Sequence, residues 1–223
     1  NVGERKVEGM RNKHAIALED LRRVARKGVI LDADGSEWVD LFDAVEIDQT
    51  VVEFPLSNDK GDVKGACIAT AAAIEEALSG EFSTGIHVLC SQEFFAALIA
   101  HPTVKTAYAN WQNGAVLIND VRKGFNFGGL VFEEYRGKAS DLDGTVRRFI
   151  APGEAHAFPL GTMDTFATYY APADFNETAN TMALPLYAKQ EPRKFDRGTD
   201  LHTQANPLPL CHRPQLLVKL EIA

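Results

Sequence analysis

The chain has 223 residues, 45% of them hydrophobic. That supports one large domain or two small ones, with roughly 70% of the unfolded surface buried on folding. Lys and Arg number 23 against 31 Asp and Glu, a formal charge of -8, which excludes the many basic contacts that tight, sequence-independent phosphate binding needs. The three cysteines, Cys67, Cys90 and Cys211, are far apart and form no Cys-x-x-Cys pair. A cysteine-built zinc site is therefore not expected, and the three read as buried thiols of a reducing compartment. No apolar run reaches bilayer-spanning length and no secretory signal is visible. A chain that begins with Asn1 reads as a fragment or a processed product.

In KHAIALEDLRRVARKG, residues Ile16, Leu18, Leu21, Val24 and Ala25 recur mostly at helical spacing, with Asn12 as a candidate cap and Gly28 as the stop. Arg22, Arg23, Arg26 and Lys27 crowd the end of that helix. They read as an anion site or, more plainly, as a solvated face whose cations suit the helix dipole. GVILDADGSEWVDLF places β-formers at 29–31 and 38–42 on either side of Asp32-Ala-Asp-Gly35, a hairpin pattern. A calcium loop fails there, because Gly35 stands fourth from Asp32 and not sixth. A strand is expected over 45–54, ended by Pro55, and the polar loop at 58–65 marks a domain boundary.

Beyond that loop, ACIATAAAIEEALSG predicts a helix closed by Gly80, and IHVLC a buried strand. SQEFFAALIAHP predicts a helix capped by Ser91, and a second short helix over 102–108 opens on Pro102. From residue 115 the period turns strand-like, at 116–118, 129–135, 147–150, 155–158 and 165–170, and the tail 215–222 alternates as a last strand. Helix, strands, helices, strands in that order predict an α+β fold.

SDLDGTV, residues 140–146, contains the nucleophile motif of the haloacid-dehalogenase phosphatases letter for letter. That chemistry needs Asp141 and Asp143 at the carboxyl end of a buried parallel strand, with magnesium offsetting their charges. Here YRGKAS precedes the motif, and a short strand follows where a crossover helix should stand. The run reads as a turn, in which Asp and Gly tolerate positive φ. APGEAHAFPLG places Glu154 and His156 on one side of a strand, a partial echo of the cupin metal motif without its His-x-His. The six histidines are scattered and read as ordinary residues. Cys90, between a strand and a helix, stands where a helix dipole lowers a thiol pKa, but a buried structural thiol is the commoner outcome. No nucleophile elbow or P-loop is present. A small metal-dependent hydrolase using Asp141/Asp143 or Glu154/His156 remains as the alternative reading.

Five stretches carry a resemblance: the helix ending at Gly28 with VILDADGS, then FNFGGLVFEEYRG, FIAPGEAHAFPLG, YYAPADFNETANT and NPLPLCHRPQLLVKL. In that order the chain resembles the major capsid protein E family of tailed phages, from about residue 13 to the end. The resemblance implies the HK97-like capsid fold. Residues 1–57 and 196–223 would form a peripheral domain with a long helix and sheet, and 58–195 an axial domain. The last strand would return to the peripheral sheet after the NPLP turn. The N-terminal arm and extended loop, which precede the long helix in the family, are expected to be missing. The implied function is a shell subunit that assembles with copies of itself into pentamers and hexamers around packaged DNA. It implies no catalysis, metal or cofactor, no membrane, and no sequence-specific nucleic-acid binding. A decoration protein and a scaffold would be further partners, and the location would be the host cytoplasm, then the virion. The acidic balance suits a shell wall that does not grip DNA. The cluster Lys189, Arg193, Lys194 and Arg197 reads as a solvated loop, or as a partner for a neighbour's acids.

Overall fold

The computed structural model describes residues 2–31, 36–111, 122, 124–140 and 146–223. Helix α1 (Val2–Ala25) starts ten residues before the expected cap, because Glu4, Arg5, Lys6, Glu8 and Arg11 are good helix formers and Asn12 lies on the exposed face. Gly28 ends the turn beyond it at φ +80, where a Cβ would lie 2.3 Å from the Phe42 ring. Strands β1 (Val29–Leu31) and β2 (Glu37–Asp40) pair antiparallel and flank 32–35, the expected turn, which lies outside the described residues. The second strand stops earlier than its β-formers suggest. The Asp40 carboxylate accepts from the Phe42 amide at 2.8 Å and caps a short helix, α2 (Leu41–Ala44). The expected strand over 45–54 is likewise shorter. Glu46 takes a left-handed φ of 55, which breaks an extended run, and β3 covers Val51–Phe54.

Helix α3 (Val63–Leu78), strand β4 (Gly85–Cys90), helix α4 (Gln92–Ala100) and helix α5 (Pro102–Trp111) follow as the periodicity predicts. The Ser91 hydroxyl accepts from the Phe94 amide at 3.2 Å, the expected cap. The strand expected at 116–118 lies outside the described residues. Next come β5 (Phe125–Phe127), β6 (Leu130–Glu134), β7 (Lys138–Ser140), β8 (Val146–Arg148), β9 (Glu154–Leu160), β10 (Phe166–Tyr170), β11 (Tyr187–Pro192), β12 (Thr199–Gln204), β13 (Pro207–Cys211) and β14 (Val218–Ile222).

Six strands form the central sheet in the order β3-β14-β9-β4-β6-β5. Strict alternation divides its faces. Val88, Cys90, Leu130, Phe132, Ala155, Ala157, Val218 and Leu220 point to a dry core closed by Val63, Cys67 and Ile74 of α3 and by Phe94 and Leu98 of α4. Phe54 sits in that core with its ring 5.4 Å from Phe94 and 6.4 Å from Phe132. The turn at Gly128 comes so close to α3 that a Cβ there would meet Cys67 Cβ at 2.5 Å. The opposite face carries a smaller cluster of Ile30, Leu41, Phe42, Leu89, Ile150, Phe158, Cys211 and Leu217.

Beside this body, α1 packs against β13, β12 and β1, while β10 pairs with β13 and β11 with β12. Sheet membership therefore departs from the expected boundaries at 57/58 and 195/196. β3 and β14, expected in the sheet beside the long helix, lie in the central sheet, and β10 lies outside it. Alternation marks 218–222 as a half-buried strand but carries no information about its partners. Residues 189–197, expected as a solvated loop, belong to the β11–β12 hairpin, whose mostly exposed faces hide any alternation.

Phe54→Ala should lower unfolding free energy by about 3–5 kcal/mol, because it removes a fully buried ring between two others. Urea denaturation followed by circular dichroism checks this.

Candidate functional site

Glu154 and His156 do share one side of β9, as expected, on the sheet face opposite the dry core. Their geometry is not that of a metal site. Glu154 Oε1 is ion-paired with Lys219 Nζ at 2.7 Å, and the same ammonium reaches Glu221 at 2.7 Å. His156 Nε2 stands 3.9 Å from Glu154 and makes no hydrogen bond. Burial, then the Lys27 and Lys219 cations, pull the pKa of His156 from 6.5 down to about 3. A metal there would have to displace a bound ammonium. Among the described residues no group of three or more His, Cys, Asp or Glu could hold an ion.

Asp141 and Asp143 lie outside the described residues. Their flanks contradict the phosphatase requirement. β7 and β8 pair antiparallel, with Ser140 opposite Val146, in a two-stranded ribbon apart from the central sheet. The nucleophile motif needs a buried parallel strand before it.

All three cysteines are buried. Burial pushes the Cys67 thiol up to about 12 and Cys211 up to about 11, and raises Cys90 well above its ordinary value. At Cys90 desolvation is the largest influence, which favours the protonated, unreactive thiol. The histidines serve local contacts. His14 bonds Thr203 at 3.0 Å, His101 the Asn58 carbonyl at 3.0 Å and His212 the Tyr169 hydroxyl at 2.9 Å, while His87 pairs with Glu133 at 3.3 Å and His202 packs on Phe175.

The cations at the end of α1 split into two kinds, which their spacing alone does not reveal. Arg23 is held by Glu19 at 3.2 Å and donates to the Tyr135 hydroxyl at 2.7 Å; Lys27 donates to the Phe149 carbonyl at 2.7 Å. Arg26 lies over the Phe158 ring at 5.1 Å, and Arg22 is exposed. In the second basic cluster, Lys189 pairs with Glu177 at 3.0 Å and Arg193 with Asp200 at 2.5 Å, both within the chain.

The remaining conspicuous features are on the surface. Phe82, Met163, Met182 and Phe195 stand on loops and turns with 89%, 89%, 91% and 88% of their area exposed. Among the described residues, no helix is long and apolar enough to cross a membrane. The chain belongs to the phage major capsid protein E family, which matches residues 1–222, and is a structural subunit of a phage head. It is 30% identical to the major capsid protein of Salmonella phage Felix O1 over 97% of this chain and 67% of that protein. It is 29% identical to the major capsid protein of Pseudomonas phage KPP10 over 98% of this chain and 67% of that one. The chain thus spans about two thirds of the length of both. A phage-related protein from Bordetella bronchiseptica RB50 shares the fold, with a TM-score of 0.52 and 12% identity over 98% of this chain and 67% of that one.

The His156 site has a pH consequence. Above pH 6.5 the ring is neutral in both folded and unfolded chains, so it contributes no slope. Between 6.5 and about 3 the unfolded chain binds a proton that the folded chain refuses, so stability falls as pH falls. His87, whose pKa burial lowers against the pull of Glu133, adds in the same direction. His156→Leu should flatten the loss by up to about 1.4 kcal/mol per pH unit, read from denaturation midpoints at pH 7, 6 and 5.

Proposed function

We propose that the chain assembles with copies of itself into five- and six-membered rings that close the icosahedral head of a tailed phage or prophage around packaged DNA. The match to the capsid family across residues 1–222 carries this reading. Rings require heterologous contacts between rigid bodies, and the exposed apolar side chains lie on loops and turns of such a body. In this reading α1, β1–β2 and β10–β13 form the peripheral part. The central sheet with α3, α4 and α5 forms the axial part. That division replaces the boundaries at 57/58 and 195/196.

The net charge of -8 suits a wall that contains DNA without binding its sequence. A decoration protein and a scaffold are further partners of this reading, and subunits would gather in the host cytoplasm before entering the virion. No catalytic step is assigned. Asp141→Asn and Asp143→Asn should leave assembly unchanged, and magnesium should not raise the melting temperature. Loss of a measured phosphatase activity in either variant would overturn that part.

Light scattering on a sizing column with negative-stain imaging tests assembly, with the chain expressed within its complete reading frame. Five- and six-fold rings or closed shells are expected. Rings of any other subunit number would point to a tail or connector component instead.

A further inference from the structure

Arg22, in the last turn of α1, and Arg26, in the turn just beyond it, line a groove with Phe158, Leu160, Phe166 and Leu210. Neither guanidinium makes a hydrogen bond or ion pair among the described residues, because Glu19 and Asp20 are taken by Arg23. Arg26 is partly buried with its guanidinium over the Phe158 ring, and burial lowers its pKa against the pull of Glu19 and Glu133, neither of which comes within ion-pair distance. A partly buried cation whose own carboxylates stand beyond ion-pair distance gains from a carboxylate brought against it from outside. The apolar walls suit a peptide with aliphatic side chains better than a phosphate backbone.

The same molecule presents the complement elsewhere. DAVEIDQTVVE, residues 43–53, holds Asp43, Glu46, Asp48 and Glu53 and no basic residue. All four carboxylates are exposed, and none has an ion pair among the described residues. Val45 and Val51 between them are 50% and 49% exposed. β3, which ends the segment, is the outer strand of the central sheet and so presents an open edge.

We infer that the Arg22–Arg26 groove of one copy receives the acidic segment 43–53 of the next copy. The contact is heterologous and therefore able to propagate around a ring. The inference rests on the shell reading and assigns residues to one of its contacts. Carboxylates of the segment neutralise the arginines, while Val45 or Val51 covers Phe166 and Leu160.

A charge-swap experiment tests it, by sedimentation velocity over a concentration series at low salt. Arg22 and Asp48 are both exposed, so their reversal leaves the core intact. Arg22→Glu alone and Asp48→Lys alone should each weaken self-association by about tenfold or more, since like charges then face each other. An equimolar mixture of the two variants should regain it. Rings that form equally well from either variant overturn the inference and leave the shell reading standing. Losses that the mixture does not repair overturn the choice of segment 43–53. Unchanged association with lost retention on duplex DNA hands the groove to phosphate instead. A chain that never self-associates, with rings absent also from the complete reading frame, overturns both.

Discussion

The fold depends on one strand insertion. The last strand, β14, lies between β3 and β9, parallel to the first and antiparallel to the second. It joins a segment near residue 50 to one near residue 155 through residues 218–222. Its inward side chains, Val218 and Leu220, are fully buried, and Ala223 exchanges backbone bonds with Phe54 and Ser57. Without β14 the outer strand has no partner, and the core beneath α3 is open on one side. The approach to this strand is pinned as well. Arg213 pairs with Glu81 and donates to the carbonyls of Ala77 and Leu78, so it satisfies the end of α3 just before the chain turns into the sheet. Such pairing is sequence-distant, and its loop-closure entropy must be met before the contacts repay it.

The sheet has two unlike faces, and the second one explains the false enzyme signals. The face under α3 and α4 is dry. The other carries Glu133, Glu154, His156, Lys219 and Glu221, with the turn after α1 adding Arg26 and Lys27. Charges at this depth are tolerable because most of them are paired, and His156 complies by staying neutral. A Glu and a His two residues apart on a strand therefore look like ligands in sequence. In three dimensions Glu154 belongs to an ion-pair row that joins β9 to β14, and His156 is a neutral ring beside it.

The charged groups of this chain divide by whether they find partners within it. Acidic and basic groups that find partners inside the chain, such as Arg23 with Glu19 or Lys189 with Glu177, stiffen the subunit. Groups without partners among the described residues, such as Arg22 and the acids of segment 43–53, are the ones available to a neighbour. A shell subunit needs both kinds. Internal pairing supplies the rigidity, and unpaired charge with exposed apolar side chains supplies the specificity of contact.

Much of the fold was legible. The helices at 63–78 and 92–100, the strand at 85–90, the Ser91 cap and the alternating tail all followed from local period and capping chemistry. The ordered set of motifs also pointed to the capsid family. The hairpin of β11 and β12 was not legible, because β11 is exposed almost throughout and β12 buries only part of one face against α1, so neither alternates clearly. Nor were the partners of β3 and β14, or which of four neighbouring cations at the end of α1 would be neutralised. The sequence by itself determined where segments are helical or extended, and that the chain is acidic. Those properties arise from each segment's own side chains. Only the tertiary structure decided which strands share a sheet, that His156 is buried beside two ammonium groups, and that Arg22 and Arg26 face a groove unpaired. Those outcomes depend on residues far apart in sequence, and local period does not encode such neighbours.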